Sequence, residues 1–258
     1  MDTTLDTQAL TEKVQRMYRQ VAENPRGDFH FELGEQLALR VGYDEARLAA
    51  VPTPAVDSFA GVGFFFDLAA PKLGETVLDL GSGSGMDAFY AADLVGPTGR
   101  VIGVDFTREQ IDKARRLAGE SGLDQVEFHT AGIERLPFAD QTVDCVISNG
   151  VINLSADKAA VFGEAARVLR PGGRLAIADI VSETQLKDSI VCNTDLWASC
   201  IGGAAQEDAY LATIEAAGFT IREIRSNPYE FLSEQARNAG KVYGVKSISV
   251  LAVKEEAR

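Results

Sequence analysis

The segment Val77-Leu78-Asp79-Leu80-Gly81-Ser82-Gly83-Ser84-Gly85 constrains this chain more than any other. A run suited to a buried strand enters three glycines at alternate positions. Glycine lets the backbone turn sharply and lets a ligand approach closer than a Cβ would permit. Such a triplet is also compatible with a tight strand–helix turn that binds nothing. Two further observations favour a ligand. The spacing is G-x-G-x-G, with Met86 where a dinucleotide fingerprint places its third glycine, which points away from nicotinamide or flavin. Asp105 ends the next strand candidate, twenty residues after Gly85 (105 − 85), where a carboxylate accepts both hydroxyls of a ribose. Asp79 stands at the strand tip, within reach of a ligand's ammonium group.

Around this loop the chain alternates strands with helices. Thr76–Leu80, Val101–Asp105, Val126–His129, Val143–Ser148 and Arg174–Ile180 are short apolar or β-branched runs bounded by Gly, Pro, Asp or Asn. A helix is expected from Thr107, with Gln110 completing a capping box and Ile111, Ala114 and Leu117 inward. Another is expected from Ser155 to Leu169, stopped by a turn at Arg170-Pro171-Gly172-Gly173. A helix over Glu207–Ala217 and strands over Ile221–Arg225 and Ser247–Val253 follow. The pattern predicts an α/β fold: a Rossmann-like, seven-stranded, mostly parallel sheet with helices on both faces. Residues 1–70 are expected to form an N-terminal helical cap over a domain spanning 71–258. In the cap, Leu10, Val14, Met17 and Val21 mark one face of a helix from Thr7 to Glu23, and a shorter helix covers Glu35–Arg40.

Apolar residues make up 46% of the 258, enough for a substantial core. The formal net charge of −13 repels phosphate backbones and anionic headgroups, so neither nucleic acid nor membrane is an expected partner. The acidic opening lacks a signal-like apolar run, and no apolar stretch approaches the roughly 20 residues of a spanning helix. Three cysteines make no disulfide framework. A soluble, cytoplasmic protein with a small-molecule substrate is predicted, and its oligomeric state is left open.

Four segments, in order, resemble the class I S-adenosylmethionine-dependent methyltransferases. They are Leu78 to Gly85, the acid Asp105, Ile133-Glu134-Arg135-Leu136-Pro137-Phe138, and Leu169-Arg170-Pro171-Gly172-Gly173. The resemblance implies S-adenosyl-L-methionine as cofactor. Asp79, Gly81, Ser82, Gly83 and Gly85 would face its methionine end, and Asp105 would hold the ribose. Phe106, Gly132, Ile133 and Glu134 would lie beside the adenine, Tyr18 over the cofactor, and Asn149 near the transferable methyl.

A narrower resemblance, to the arsenite methyltransferases, rests on Ala22-Glu23-Asn24-Pro25, Ser58 to Gly63, Ile147 to Ser155 and Asp195 to Ala204. Cysteines in that family bind trivalent arsenic as thiolates. Cys200 matches one of them, whereas Gly150 and Val62 stand where two others are usual, and Phe64-Phe65-Phe66 replaces a polar stretch. These departures remove soft ligands and enlarge an apolar surface, with one or more of the phenylalanines expected to line the pocket. Cys192 and Cys200 lie eight residues apart, ~12 Å along a continuous helix, so only a break at Asn193-Thr194 would let them clamp one arsenic. Cys145, inside a strand, reads as core, and no resident metal is expected.

Methyl transfer chiefly requires an aligned nucleophile and exclusion of water. A sulfur or arsenic lone pair attacks directly. A hydroxyl or carbon nucleophile calls for a base, and His30, between Phe29 and Phe31, is one candidate; a carboxylate is another. His129 reads as structural. The catalytic candidates are therefore Cys200, His30 and Asn149. The expected function is methylation of a small, apolar organic acceptor, with arsenite methylation through Cys200 as the alternative. Two other classes stay open: a nicotinamide-dependent oxidoreductase and a cofactor-binding protein without catalysis. Comparative binding of S-adenosylmethionine and NAD separates the first, and turnover to S-adenosylhomocysteine the second.

Overall fold

The structure, a computed structural model, describes residues 5–198 and 201–255. Five helices precede the sheet: α1 (Thr7–Glu23), α2 (Glu35–Val41), α3 (Glu45–Leu48), α4 (Thr53–Asp57) and α5 (Phe66–Ala69). Then follow β1 (Thr76–Leu80), α6 (Met86–Val95), β2 (Arg100–Asp105), α7 (Arg108–Ser121), β3 (Val126–Thr130), β4 (Val143–Asn149), α8 (Lys158–Val168) and β5 (Leu169–Ser182). The chain continues through α9 (Asp188–Val191), α10 (Thr194–Ala198), β6 (Ala205–Gln206), α11 (Glu207–Ala216), β7 (Phe219–Ser226), α12 (Glu234–Tyr243) and β8 (Lys246–Lys254).

The sheet runs β3-β2-β1-β4-β5-β8-β7, with β6 beside β5. Only β8 is antiparallel to its neighbours. The expected seven strands are thus joined by an eighth, the two-residue β6, whose Ala205 and Gln206 pair with Val181 and Ser182. The order reverses at β1, flanked by β2 and β4, and that reversal opens a crevice at the carboxyl ends of the strands.

Alternation along each strand divides the apolar side chains between two cores. Val77, Val101, Cys145 and Ile147 pack with α6 and α7, whereas Leu78, Leu80, Ile102 and Val146 pack with α8 and α11. The same period carries Asp79, Asp105 and Asn149 onto the α6 side, two or four residues beyond Val77, Val101 and Cys145. Three chemistry-bearing positions of the sheet tips therefore need no loop to bring them together: the pleat does it.

Three local expectations are corrected. Thr107 makes no side-chain cap on α7. Its N–H instead donates to Asp105 Oδ1 at 2.7 Å, which frees Gln110 for other partners. The helix expected from Ser155 starts at Lys158, because Asp157 is the side chain that accepts the Ala160 N–H, at 2.9 Å. Arg170-Pro171-Gly172-Gly173 is an irregularity inside β5 and not a separating turn, since Leu169 already pairs with Val143 and the register resumes at Cys145 with Arg174. No helix among the described residues is long and apolar enough to cross a membrane.

Candidate active site

At the switch point lies a cavity of about 470 Å³. Its floor is the β1 tip and the glycine loop, its walls are the ends of β2 and β4, and its roof is α1 with the segment 55–61. Of the predicted cofactor residues, Tyr18, Asp79, Gly81, Ser82, Gly83, Asp105, Phe106, Gly132, Ile133, Glu134 and Asn149 all line it. Gly85 does not. It adopts φ +95 at the start of α6, and a Cβ there would stand 2.7 Å from the Phe128 ring and 2.8 Å from Phe89. Its role is close packing of helix on sheet.

Three buried carboxylates share this cavity: Asp79, Asp87 and Asp105. Burial pushes the Asp79 carboxyl well above the usual range, reinforced by the neighbouring Asp87 and Asp105. Its Oδ2 is buried without a hydrogen-bond partner. Burial also raises Asp105, opposed by the backbone N–H groups of Thr107 and Gly83, the latter 3.1 Å from Oδ2. These two bonds fix the Asp105 carboxylate and leave each oxygen a further lone pair toward the cavity. Ser82 Oγ is likewise buried and unpartnered. Such a set is unfavourable until a cation enters. A ligand bearing an ammonium, a sulfonium and ribose hydroxyls fits these residues: Asp79 would face the ammonium, Asp105 the ribose, and Phe106 and Ile133 the adenine.

The sequence reading missed the group that organises the other end. Asp87, in the first turn of α6, accepts from the Tyr43 hydroxyl through Oδ1 and from Asn149 Nδ2 at 3.1 Å through Oδ2. Asn149 is saturated. Its two Nδ2 hydrogens are shared among Asp87, Tyr43 Oη (3.1 Å) and the Gly63 carbonyl (3.0 Å), and its Oδ1 accepts from Val62 N (2.7 Å) and Gly63 N (3.3 Å). Asn149 therefore ties the 61–63 segment to the β4 tip. Gly61 permits this approach: a Cβ there would collide with Phe59 and stand 2.6 Å from Asn149 Nδ2. Gln110, expected as part of a cap, donates to the Tyr18 carbonyl (2.9 Å) and accepts from Ser84 Oγ (2.5 Å), joining α1 to the glycine loop.

The remaining candidates scatter. His30 sits edge-on to Phe31, with ring centres 4.8 Å apart, and does not line the cavity. His129 lies on β3, 3.3 Å from Glu127. Cys145 is buried in β4, its thiol pushed up to about 12 by burial. Cys200 lies outside the described residues. The break that would let Cys192 approach it is present, since α9 ends at Val191 and Asn193 Oδ1 accepts the Leu196 N–H at 3.2 Å. Val62 and Gly150, where the related family carries thiols, are neighbours: a Cβ on Gly150 would lie 3.2 Å from Val62 Cγ1. None of Phe64, Phe65 and Phe66 reaches the cavity, contrary to expectation. Phe65 and Phe66 are buried, and Phe64 and Phe66 pack on Tyr43 and Tyr90.

Residues 71–218 match a family profile described as a methyltransferase domain. The chain is 36% identical over 223 residues to methyltransferase GfsG of Streptomyces halstedii, covering 83% of this chain and 77% of that one. It belongs to the class I S-adenosylmethionine-dependent methyltransferases, in the arsenite methyltransferase-like group. Within that group, the arsenite methyltransferase of Halobacterium salinarum is 45% identical over 197 residues, which is 76% of this chain and 50% of that one. This methyltransferase-family chain spans about half the length of the curated arsenite methyltransferases it matches. Among solved structures, the arsenic(III) S-adenosylmethionine methyltransferase CrArsM from Chlamydomonas reinhardtii superposes with a TM-score of 0.68 at 32% identity. That match covers 82% of this chain and 73% of that one.

Proposed function

We propose that this chain methylates a small, apolar organic acceptor with S-adenosylmethionine. The observation that carries the reading is the apolar part of the cavity lining. Leu10, Val14, Phe59, Ala60, Val151 and Leu154 form it, and no cysteine lines it among the described residues. The cofactor supplies an electrophilic methyl group. Asp79 and Asp105 orient its two ends, α1 and Phe59 exclude water, and Asn149 holds the wall beside which the acceptor rests. Residues 1–70 serve this site as a cap, over a catalytic domain of residues 71–258.

Arsenite is the second reading, favoured by the names of the Halobacterium and Chlamydomonas relatives and by the break beside Cys192. Incubation of the native protein with methyl-labelled cofactor, and either arsenite or neutral apolar organics, decides between them. The organic reading expects labelled organic product and marginal arsenite turnover. Robust arsenite turnover that Cys200→Ser abolishes would overturn it.

A further inference from the structure

The Tyr43–Asp87–Asn149 cluster has a composition that binding a cofactor does not require. Asp79 and Asp105 already supply carboxylates to the two ends of the bound molecule. Asp87 is a third, 6% exposed, on the cavity wall next to Asn149 and the Gly61 corner. Its two hydrogen bonds occupy one lone pair on each oxygen and fix the carboxylate plane, and each oxygen retains a second lone pair. A group so held, on the cavity wall beside Asn149, Gly61 and Phe59, is placed to receive a proton.

The charge of the lining narrows what can donate it. Asp79, Asp87, Asp105, Glu134 and Asp157 line the cavity, whereas among the described lining residues none is Lys, Arg or His. An acceptor bearing a carboxylate or phosphate would be buried against these acids without a counter-charge. A neutral acceptor avoids that penalty.

We propose that Asp87 is the general base for a neutral, apolar acceptor that carries a phenol-like hydroxyl, an assignment that rests on the organic-acceptor reading. As the acceptor oxygen forms its bond to the methyl carbon, the S–CH3 bond breaks and leaves its electron pair on sulfur. The hydroxyl proton passes to the Asp87 carboxylate. The products are an aryl methyl ether, S-adenosylhomocysteine and protonated Asp87, which returns its proton to solvent when the products leave.

The electrostatics agree with this placement. Burial raises the Asp87 carboxyl to about 6, with the Tyr43 hydroxyl and the Asn149 amide opposing the rise. The other titratable groups facing it are Asp79 from β1, which Asp87 raises, and Tyr90 one turn along α6. Asp87 is therefore largely ionised at neutral pH. A phenolic hydroxyl, near ~10, lies closer to it than a water-like hydroxyl near ~16.

The test uses the full chain with 1-naphthol as acceptor, its thiol analogue 1-naphthalenethiol, and 1-naphthyl phosphate as an anionic control. Asp87→Asn should lower transfer to 1-naphthol by roughly 100-fold or more, the usual range for a lost general base. Calorimetric affinity for S-adenosylmethionine should stay within a few-fold, and transfer to the largely ionised thiol, which needs no base, should not fall. Tyr43→Phe keeps the ring and removes the donor that stabilises the carboxylate. Because Asp87 must be ionised to accept a proton, kcat/KM rises with pH through its titration. Losing the donor moves that acid limb to higher pH. An Asp87→Asn protein that methylates 1-naphthol within about 5-fold of native, or an unmoved acid limb in Tyr43→Phe, overturns the base assignment alone. Absence of transfer from the native protein to 1-naphthol and 1-naphthalenethiol alike overturns the acceptor reading together with it.

Discussion

The two ends of the cavity are built by different means. At the glycine-loop end, Asp79 and Asp105 sit at the tips of adjacent parallel strands, and Asp105 is locked by backbone N–H groups of its own βα turn and the neighbouring loop. Both backbone partners of Asp105 lie within about one strand–helix unit of it. At the acceptor end, Asp87 meets Tyr43 from 44 residues away and Asn149 from 62 residues away. Val62 and Gly63 reach Asn149 across 87 and 86 residues. The first end is a property of a local motif; the second exists only once the chain has folded.

The largest expected effect lies at the acceptor end. Asn149→Ala strips partners from two buried backbone N–H groups, a carbonyl and Asp87. It should destabilise the protein by ~3 kcal/mol, as severed buried networks do. Denaturant unfolding measures the loss, and calorimetry should find cofactor affinity of the folded protein little changed. An unaltered midpoint combined with collapsed cofactor affinity would place Asn149 at the other end and erase the contrast.

Next in size is Asp105→Ala. Removing a charged hydrogen-bond acceptor should weaken S-adenosylmethionine binding by ~1.5–3 kcal/mol, roughly 10- to 150-fold in Kd. The acceptor KM at saturating cofactor should hold. Unchanged cofactor affinity in a folded variant would mean that the ribose is held elsewhere.

What was legible in the sequence follows the same boundary. The strands β1 to β5, the glycine loop and Asp105 at the end of β2 could be read from local pattern, because their physics is local, whereas Phe106, Gly132, Ile133 and Glu134 were named only through the family resemblance. Helix α12 was not read: it is amphipathic, but its buried residues are only the small Ala236 and Ala239. Asp87 was not singled out, since nothing nearby in the sequence announces Tyr43 or Asn149. The three phenylalanines misled for a related reason. An extended segment would present alternate faces, but α5 begins at Phe66, and the rings of Tyr43 and Tyr90 take up this aromatic run in the core.

The smallest effect tests whether the two ends communicate. Glu134, beside the predicted adenine position, accepts from Ser155 Oγ at 2.6 Å, and Ser155 Oγ in turn accepts the Asp157 N–H at 3.1 Å ahead of α8. This pair is the short route between the adenine side and the loop after β4. Glu134 lies at the surface, so its single hydrogen bond should contribute no more than about 1 kcal/mol. Glu134→Gln keeps an acceptor oxygen and should change cofactor affinity by less than that. Glu134→Ala and Ser155→Ala together complete a double-mutant cycle read on acceptor KM. Ends that fold independently give a coupling within ~0.5 kcal/mol, the scatter of unconnected sites. A larger coupling on acceptor KM, from a residue on the adenine side, would show that occupancy of one end reshapes the other. The cavity would then act as one site rather than two.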